Sequence, residues 1–446
     1  MITWRPAALL LAGSVPVLAF RSPVLALVVL GLVVLVVAID VLAAARPAHL
    51  ALRRDGDRQV RIGADAHVAL HVTNNGRRSF AGTVRDVWVP SAGAGSDRYD
   101  VSLAPGESTV LATTLHPTRR GDRPAVRVML RAYGPLRCAY RQNSVRSAVA
   151  ATPPWTLRVM PRFDSRRLLP EKVARLRVFD GATVTRGRGE GTEFDALREY
   201  VVGDDVRSID WRGTARRQDV VVRTWRPERD RHVICVVDTG RTSAIRVGTT
   251  SVDPGDEGLD EPRLDAAIDA VLLLAEVATR AGDSVSMIAV DTEVRAEVTG
   301  RGHRSLLRPI AAALAPLQPS LVETDFGLVV GEILRRERKR ALVVLFTALE
   351  PGALGESLLP ALAQLTARHS VLVAAVSDPA LDEMAGERGT VAGVYRSVAA
   401  HRTLAERSRI AQQLRRRTVE VVDAPVSQYA SRVTDAYLSM KATGQL

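Results

Sequence analysis

Three hydrophobic rhythms follow one another along the chain. Residues 23–45, PVLALVVLGLVVLVVAIDVLAAA, are apolar apart from Asp40, and about 20 such residues suffice to cross a hydrocarbon core. The shorter apolar stretch 6–20 precedes them, with Trp4 and Arg5 at its start. The pattern predicts a transmembrane helical hairpin over 1–46, turning at Arg21-Ser22-Pro23. A cleaved signal peptide is the rival reading, because LAAARP offers small residues, but its apolar core is ordinarily only about 7–15 residues long.

From 47 to 160 the rhythm changes to period two. HVALHVTNNGRRSFAGTVRDVWVP alternates apolar and polar positions around Asn75-Gly76 and reads as a hairpin. LAPGESTVLATTLHP repeats the pattern with a turn at Pro105-Gly106, and RPAVRVMLRAYGPLRCAYR adds a further strand. Short alternating strands at this spacing predict a small β-sandwich, with nothing catalytic in it.

From 230 to 446 strands alternate with helices. HVICVVD is a continuous apolar strand of the buried kind, and DSVSMIAVD, VRAEVTG, ALVVLFTAL, SVLVAAVSD and VEVVDAP read as five further strands. Residues 261–282 place Leu264, Ile268, Val271, Leu272 and Ala275 on one helical face. The expected fold is an open, doubly wound α/β domain. Its ligands would sit beyond the carboxyl ends of the strands.

Composition changes this picture little. The net charge is +12, but the basic residues are almost all arginine, with lysine only at Lys172, Lys339 and Lys441. Aromatic residues make up 4 % of the chain, and the basic stretches lack the interleaved rings that stack bases, so nucleic acid is not an expected partner. Arg46, Arg53, Arg54 and Arg61 follow the apolar helix, against Arg21 in the turn. The positive-inside rule then predicts a multi-pass protein of the cell membrane with its soluble domains in the cytoplasm. Cys138 and Cys235 are too few and too distant to imply a disulfide framework.

The loops offer two places for chemistry. VVDTGRTSA, after the first α/β strand, resembles the metal-ion-dependent adhesion loop of von Willebrand factor A domains. Asp238 and Thr242, with Thr324 of LVETDFG, match three positions that hold a Mg²⁺ ion in that family. Gly240 replaces a hydroxyl ligand and Ala348 an aspartate. Mg²⁺ prefers oxygen donors in octahedral array, so a set lacking two donors is degenerate, and Asp238 and Thr242 also suit a local turn. The histidines show no zinc spacing, RGRGEG lacks a phosphate-loop ending, and there is no Gly-x-Ser-x-Gly elbow.

The other place is GTEFDALREYVVGDDVRSIDWRGTAR, within the linking segment 161–229. Glu193, Glu199, Asp204, Asp205 and Asp210 suggest acid–base work, but Arg198, Arg207, Arg212 and Arg216 are interleaved with them. Balanced charges fit a salt-bridged joint better than the separated environments that catalysis needs. EFDALREYVV is expected to be helical, with Phe194, Leu197 and Val201 on one face and a break at Gly203. Ile209 and Trp211 are expected to anchor the segment on the α/β domain.

This stretch closely resembles the signature of the bacterial domain of unknown function 58 family. The matching positions are Glu193, Phe194, Leu197, Arg198, Tyr200, Gly203, Asp204, Arg207, Ile209, Asp210, Trp211, Ala215 and Arg216. The order of parts, from membrane hairpin through β domain and signature to von Willebrand factor A-like domain, also resembles the family. The resemblance implies a non-enzymatic, membrane-anchored adaptor for a MoxR-type AAA+ ATPase, in company with transglutaminase-like membrane proteins. Its role would be chaperone-like assembly or maturation of other complexes, with no cofactor. A Mg²⁺-dependent receptor using Asp238 and a hydrolase using the carboxylates of 193–210 are the alternatives.

Overall fold

The computed structural model describes residues 2–176, 193–201, 204–217, 219–226, 231–248, 261–300, 306–351 and 358–446. It divides into two compact units, Met1–Met160 and Pro161–Leu446.

The first unit begins with helices α1 (Arg5–Phe20) and α2 (Pro23–Ala43). Arg21 takes a left-handed conformation between them, and Ser22 caps α2 by accepting from the Leu25 amide. Of the two, α2 is long and apolar enough to cross a membrane, whereas α1 is shorter. Asp40 is no stray charge in α2. Its buried carboxylate accepts the amides of Leu136, Cys138 and Ala139, each at 2.8 Å, so it pins the end of the helix to a β turn. At Gly134 in that turn a side chain would collide with Asp40.

Nine strands follow: β1 (Leu50–Gly56), β2 (Gln59–Arg61), β3 (Ala66–Asn74), β4 (Phe80–Trp88), β5 (Arg98–Leu103), β6 (Ser108–Leu115), β7 (Gly121–Tyr133), β8 (Tyr140–Gln142) and β9 (Thr156–Met160). Helix α3 (Val145–Ala151) lies between the last two strands. β1, β3 and β6 form one sheet; β2, β9, β7, β4 and β5 form the other, with β8 added on β7. The expected hairpin around Asn75-Gly76 does not form, because β3 and β4 belong to different sheets. The reason is burial. Leu70 and Val72 of β3 share one core with Phe80 and Val84 of β4, so the chain crosses between layers there instead of doubling back within one. Elsewhere in this unit Asp86 accepts from buried Arg54 and from Trp88 Nε1, and the Arg54 guanidinium lies 4.9 Å from the Trp88 ring centre.

The second unit holds β10 (Glu193–Glu199), β11 (Val221–Arg226), β12 (His232–Asp238), the short pair β13 (Arg246–Val247) and β14 (Glu261–Pro262), β15 (Ser284–Val290), β16 (Val294–Thr299), β17 (Ala341–Phe346), β18 (Ser370–Ser377) and β19 (Glu420–Pro425). Its helices are α4 (Trp211–Arg217), α5 (Arg263–Arg280), α6 (Leu307–Leu314), α7 (Phe326–Arg336), α8 (Leu359–Thr366), α9 (Pro379–Gly386), α10 (Val391–Arg415) and α11 (Val426–Ala442). Six strands make one sheet in the order β16-β15-β12-β17-β18-β19, parallel except for β16.

Alternate residues of β12 serve opposite faces. Val233, Cys235 and Val237 join a core with α5 and α11, while Ile234 and Val236 join one with α7, α8 and the end of α10. Burial on both faces is why these strands are continuously apolar. Burial also pushes the Cys235 thiol up to about 12, which makes it inert as a nucleophile.

Candidate functional site

The first α/β strand delivers Asp238 to the carboxyl edge of the sheet, where it is 3 % exposed. Four donors meet its two oxygens. The Gly240 amide donates to Oδ1 at 2.8 Å and Thr324 Oγ1 to the same oxygen at 2.5 Å. Thr242 Oγ1 at 3.0 Å and Thr347 Oγ1 at 2.6 Å donate to Oδ2. The structure thus brings Asp238, Thr242 and Thr324 together, and adds Thr347, which the sequence reading passed over in favour of its neighbour Ala348. The clue to Thr347 is its place as the first residue beyond an all-apolar strand, where a side chain next turns to the strand ends.

These residues do not fit a Mg²⁺ ion. A carboxylate offers about four acceptor positions, and four donors occupy them. A Cβ at Gly240 would fall on the Thr324 hydroxyl, so a hydroxyl side chain in the place that the adhesion loop requires would collide with Thr324. Asp238, Thr242, Thr347 and Ala348 line a cavity of about 20 Å³ together with Arg263, room for about one water molecule. Arg263 brings a cation of its own to that cavity and pairs with Glu350 at 2.5 Å. Ser243 donates to the Gly240 carbonyl and closes the loop on itself. Among the described residues no group of three or more His, Cys, Asp or Glu is arranged to hold a metal. The edge continues in the same manner at Asp291, which is buried and accepts from Ser320, Thr239 and the Glu293 amide.

The charged segment has a different construction. Residues 193–199 are a strand, not the expected helix: β10 pairs antiparallel with β11, Leu197 opposite Arg223 and Glu199 opposite Val221. The apolar positions of EFDALREYVV fit either period over so short a run, and cross-strand pairing to VVRTWR decides between them. Glu193 and Phe194 lie in β10, but their side chains are outside the described residues, as is Gly203. Residues 186–191, the Gly-rich stretch, also lie outside them.

Between the two strands Asp204, Asp205 and Asp210 are occupied locally. Asp204 accepts from Arg198 at 2.5 Å and from the Val201 amide at 3.0 Å. Asp205 caps the turn 206–208 by accepting from the Arg207 amide. Asp210 accepts the Arg212 and Gly213 amides, each at 3.1 Å, and so caps α4; Arg223 Nε adds a third donor at 3.1 Å. The Arg223 guanidinium, with the Gly213 amide next, holds the Asp210 carboxyl below the usual range. A carboxylate kept ionised in this way is poorly matched to proton transfer near neutral pH. Tyr200 is half-buried and its amide bonds to Val220 O at 2.8 Å, while Ile209 bridges Val222.

Trp211 corrects the expectation of an anchor. Its side chain is 68 % exposed, because Asp210 starts the helix immediately before it and the inward face of that turn is taken by Gly213, packed near Leu197 and Val221. Val201, Val206 and Val220 are exposed as well, as are Arg207, Arg212, Ala215 and Arg216.

The profile of the family described as "Protein of unknown function DUF58" matches residues 196–419, half of the chain. The chain belongs to the DUF58 family. Uncharacterized protein Rv1480 of Mycobacterium tuberculosis (strain ATCC 25618 / H37Rv) is 32 % identical over 193 residues, which is 43 % of this chain and 56 % of that one. Uncharacterized protein Mb1516 of Mycobacterium bovis matches to the same extent. The chain therefore spans about half the length of the curated relatives it matches. Among solved structures, the CARDB domain of the PF1109 protein from Pyrococcus furiosus, in complex with di-metal ions, is 22 % identical. That match covers 25 % of this chain and 86 % of the other, with a TM-score of 0.19. The DUF58 profile begins inside β10 and ends just before β19, so it takes in both the charged segment and the Asp238 edge.

Proposed function

We propose that this DUF58 protein is a non-enzymatic, membrane-anchored adaptor that works with a MoxR-type AAA+ ATPase in assembling or maturing other protein complexes. One observation carries the reading. The family signature turns Asp204, Asp205 and Asp210 onto local amides, Arg198 and Arg223, and leaves Trp211, Val201 and Val206 exposed in a segment that also exposes Arg207, Arg212 and Arg216. Exposed tryptophan with arginine around it is the composition of an interface hot spot. Carboxylates already engaged by several donors are poor candidates for acid–base catalysis. In this reading the A-like α/β domain is a rigid platform, its Asp238 edge closed by threonines where an adhesion domain would hold metal.

The apolar helix α2, preceded by α1, would tether the protein to the membrane as a hairpin. The arginines after α2 favour a cytoplasmic location for the rest, and the ATPase needs that location. A tagged full-length protein should co-purify with the ATPase, more strongly with a non-hydrolysed nucleotide, and Trp211→Ala should reduce the recovery. Absence of any AAA+ ATPase after chemical crosslinking would overturn the proposal.

A further inference from the structure

Helix α10 outruns the sheet it belongs to. Its C-terminal part is built into the core through Ile410, Ala411 and Leu414. Arg407 marks the edge: it donates to the Val376 carbonyl at 3.1 Å and pairs with Asp423 at 2.6 Å, near the carboxyl ends of β18 and β19. From Arg407 back to Val391 the helix therefore extends about 24 Å past that edge, at 1.5 Å per residue. Helix α9 supports this arm from one side. Ser397 donates to the Ala385 carbonyl at 2.7 Å, Arg396 pairs with Glu387, and the buried Gly393, Ser397 and Ala400 face the contact.

The opposite side of the arm is apolar and open. Val391, Val394, Tyr395 and Val398 follow the i, i+3, i+4, i+7 spacing of one helical face, with Val391 76 % and Tyr395 75 % exposed. Further along the helix the same face becomes basic, as Tyr395 is succeeded at seven-residue steps by Arg402, Arg409 and Arg416, all exposed. Glu406 is the single acid of α10, against five arginines, and it pairs with Arg402.

We infer that the arm of α10 docks an acidic amphipathic segment of another protein. The segment would carry apolar side chains to meet Val391–Val398 and carboxylates one to two turns further on to meet Arg402 and Arg409. This is helix-against-helix recognition, with the charges setting register and partner choice. The charge pattern disfavours a second copy of this chain, since pairing two such faces sets arginine against arginine or against valine. The apolar part covers about two turns, far less than the roughly 800 Å² per partner of a standard stable interface, so a short segment suits it better than a globular dimer. An interfacial membrane helix needs an apolar face along its length with cations beside it; here the arginines follow in line with the valines. The inference deepens the adaptor reading by naming a second contact surface, and it holds whether or not the partner is an ATPase.

The test is a photo-crosslinking residue in place of Val398 in the full-length protein, expressed in its native host, with the adducts mapped to peptides by mass spectrometry. The expected adduct is a net-negative protein segment with apolar residues at helical spacing. Its yield should fall about tenfold in Arg409→Glu, an exposed change that leaves the melting temperature in place. A synthetic copy of the mapped segment with its carboxylates replaced by lysine should bind the Arg402→Glu, Arg409→Glu double variant in preference to the parent. Adducts with lipid, with a second copy or with a neutral or basic segment would overturn the inference, as would absence of adducts or an undiminished yield in the arginine variants. An acidic segment from a protein other than an ATPase would uphold the arm and leave the ATPase reading to the co-purification test at Trp211. Loss of the ATPase in Trp211→Ala, with the arm adduct intact, would separate the two surfaces.

Discussion

The Asp238 edge and the Asp210 segment look alike as strings of residues, each an aspartate among hydroxyls or arginines in a loop, yet they are satisfied by opposite means. Asp238 is buried and filled by three threonine hydroxyls and an amide from three separate loops. Asp210 is half-buried and filled by two amides of its own helix and a neighbouring arginine. The first ties β12, β17 and the loop before α7 into one edge; the second starts a short helix. A carboxylate in a promising loop is thus chemically available only when its acceptor positions are not already used, and burial alone does not decide this.

Removing Asp238 should produce the largest effect. Asp238→Ala leaves three hydroxyls and an amide buried without their acceptor, and should cost about 3–5 kcal/mol, read as a fall in denaturant midpoint of the full-length protein in detergent. Loss of less than about 1 kcal/mol would show that the four contacts do not act together.

Asp269 supplies the contrast that both sites lack. It is half-buried in α5 with Ser165 as a donor to its carboxylate at 3.3 Å, and desolvation pushes its carboxyl up to about 6 against the pull of the Ser165 amide. Its folded pKa lies above its unfolded one, so the folded state holds the extra proton. Its contribution is therefore full below the unfolded value and is lost as pH rises from about 4 to 6. Asp269→Asn should flatten that part of the stability–pH curve and raise stability at pH 7 by at most on the order of 3 kcal/mol. A variant with the parent's slope would refute this account.

Asp210→Ala should cost less, about 1 kcal/mol, the usual worth of an N-cap, and should leave Asp238 and its partners as protected from amide exchange as before. If Asp210→Asn folds normally while abolishing a measurable turnover, the distinction between joint and active site collapses. The smallest stability effect belongs to Trp211→Ala, within about 0.5 kcal/mol for an exposed residue. A larger loss would mean that the tryptophan is an anchor after all.

Hydrophobic periodicity by itself determined the long-range order of this protein. The apolar run of α2, the alternation in β3 and the continuous strands such as HVICVVD each follow from how many faces of an element are buried, and that is written in consecutive residues. Tertiary structure decided what consecutive residues cannot record. It made a strand of 193–199, because its partner lies more than twenty residues downstream. It separated β3 and β4 into two sheets, set Asp40 on a β turn nearly a hundred residues away, and turned Trp211 outward. At Asp238 the sequence displayed the missing donors at Gly240 and Ala348, but not the threonine at 347 that occupies the last acceptor position. Donor–acceptor saturation is a property of several loops meeting at one point, and only the folded chain brings them there.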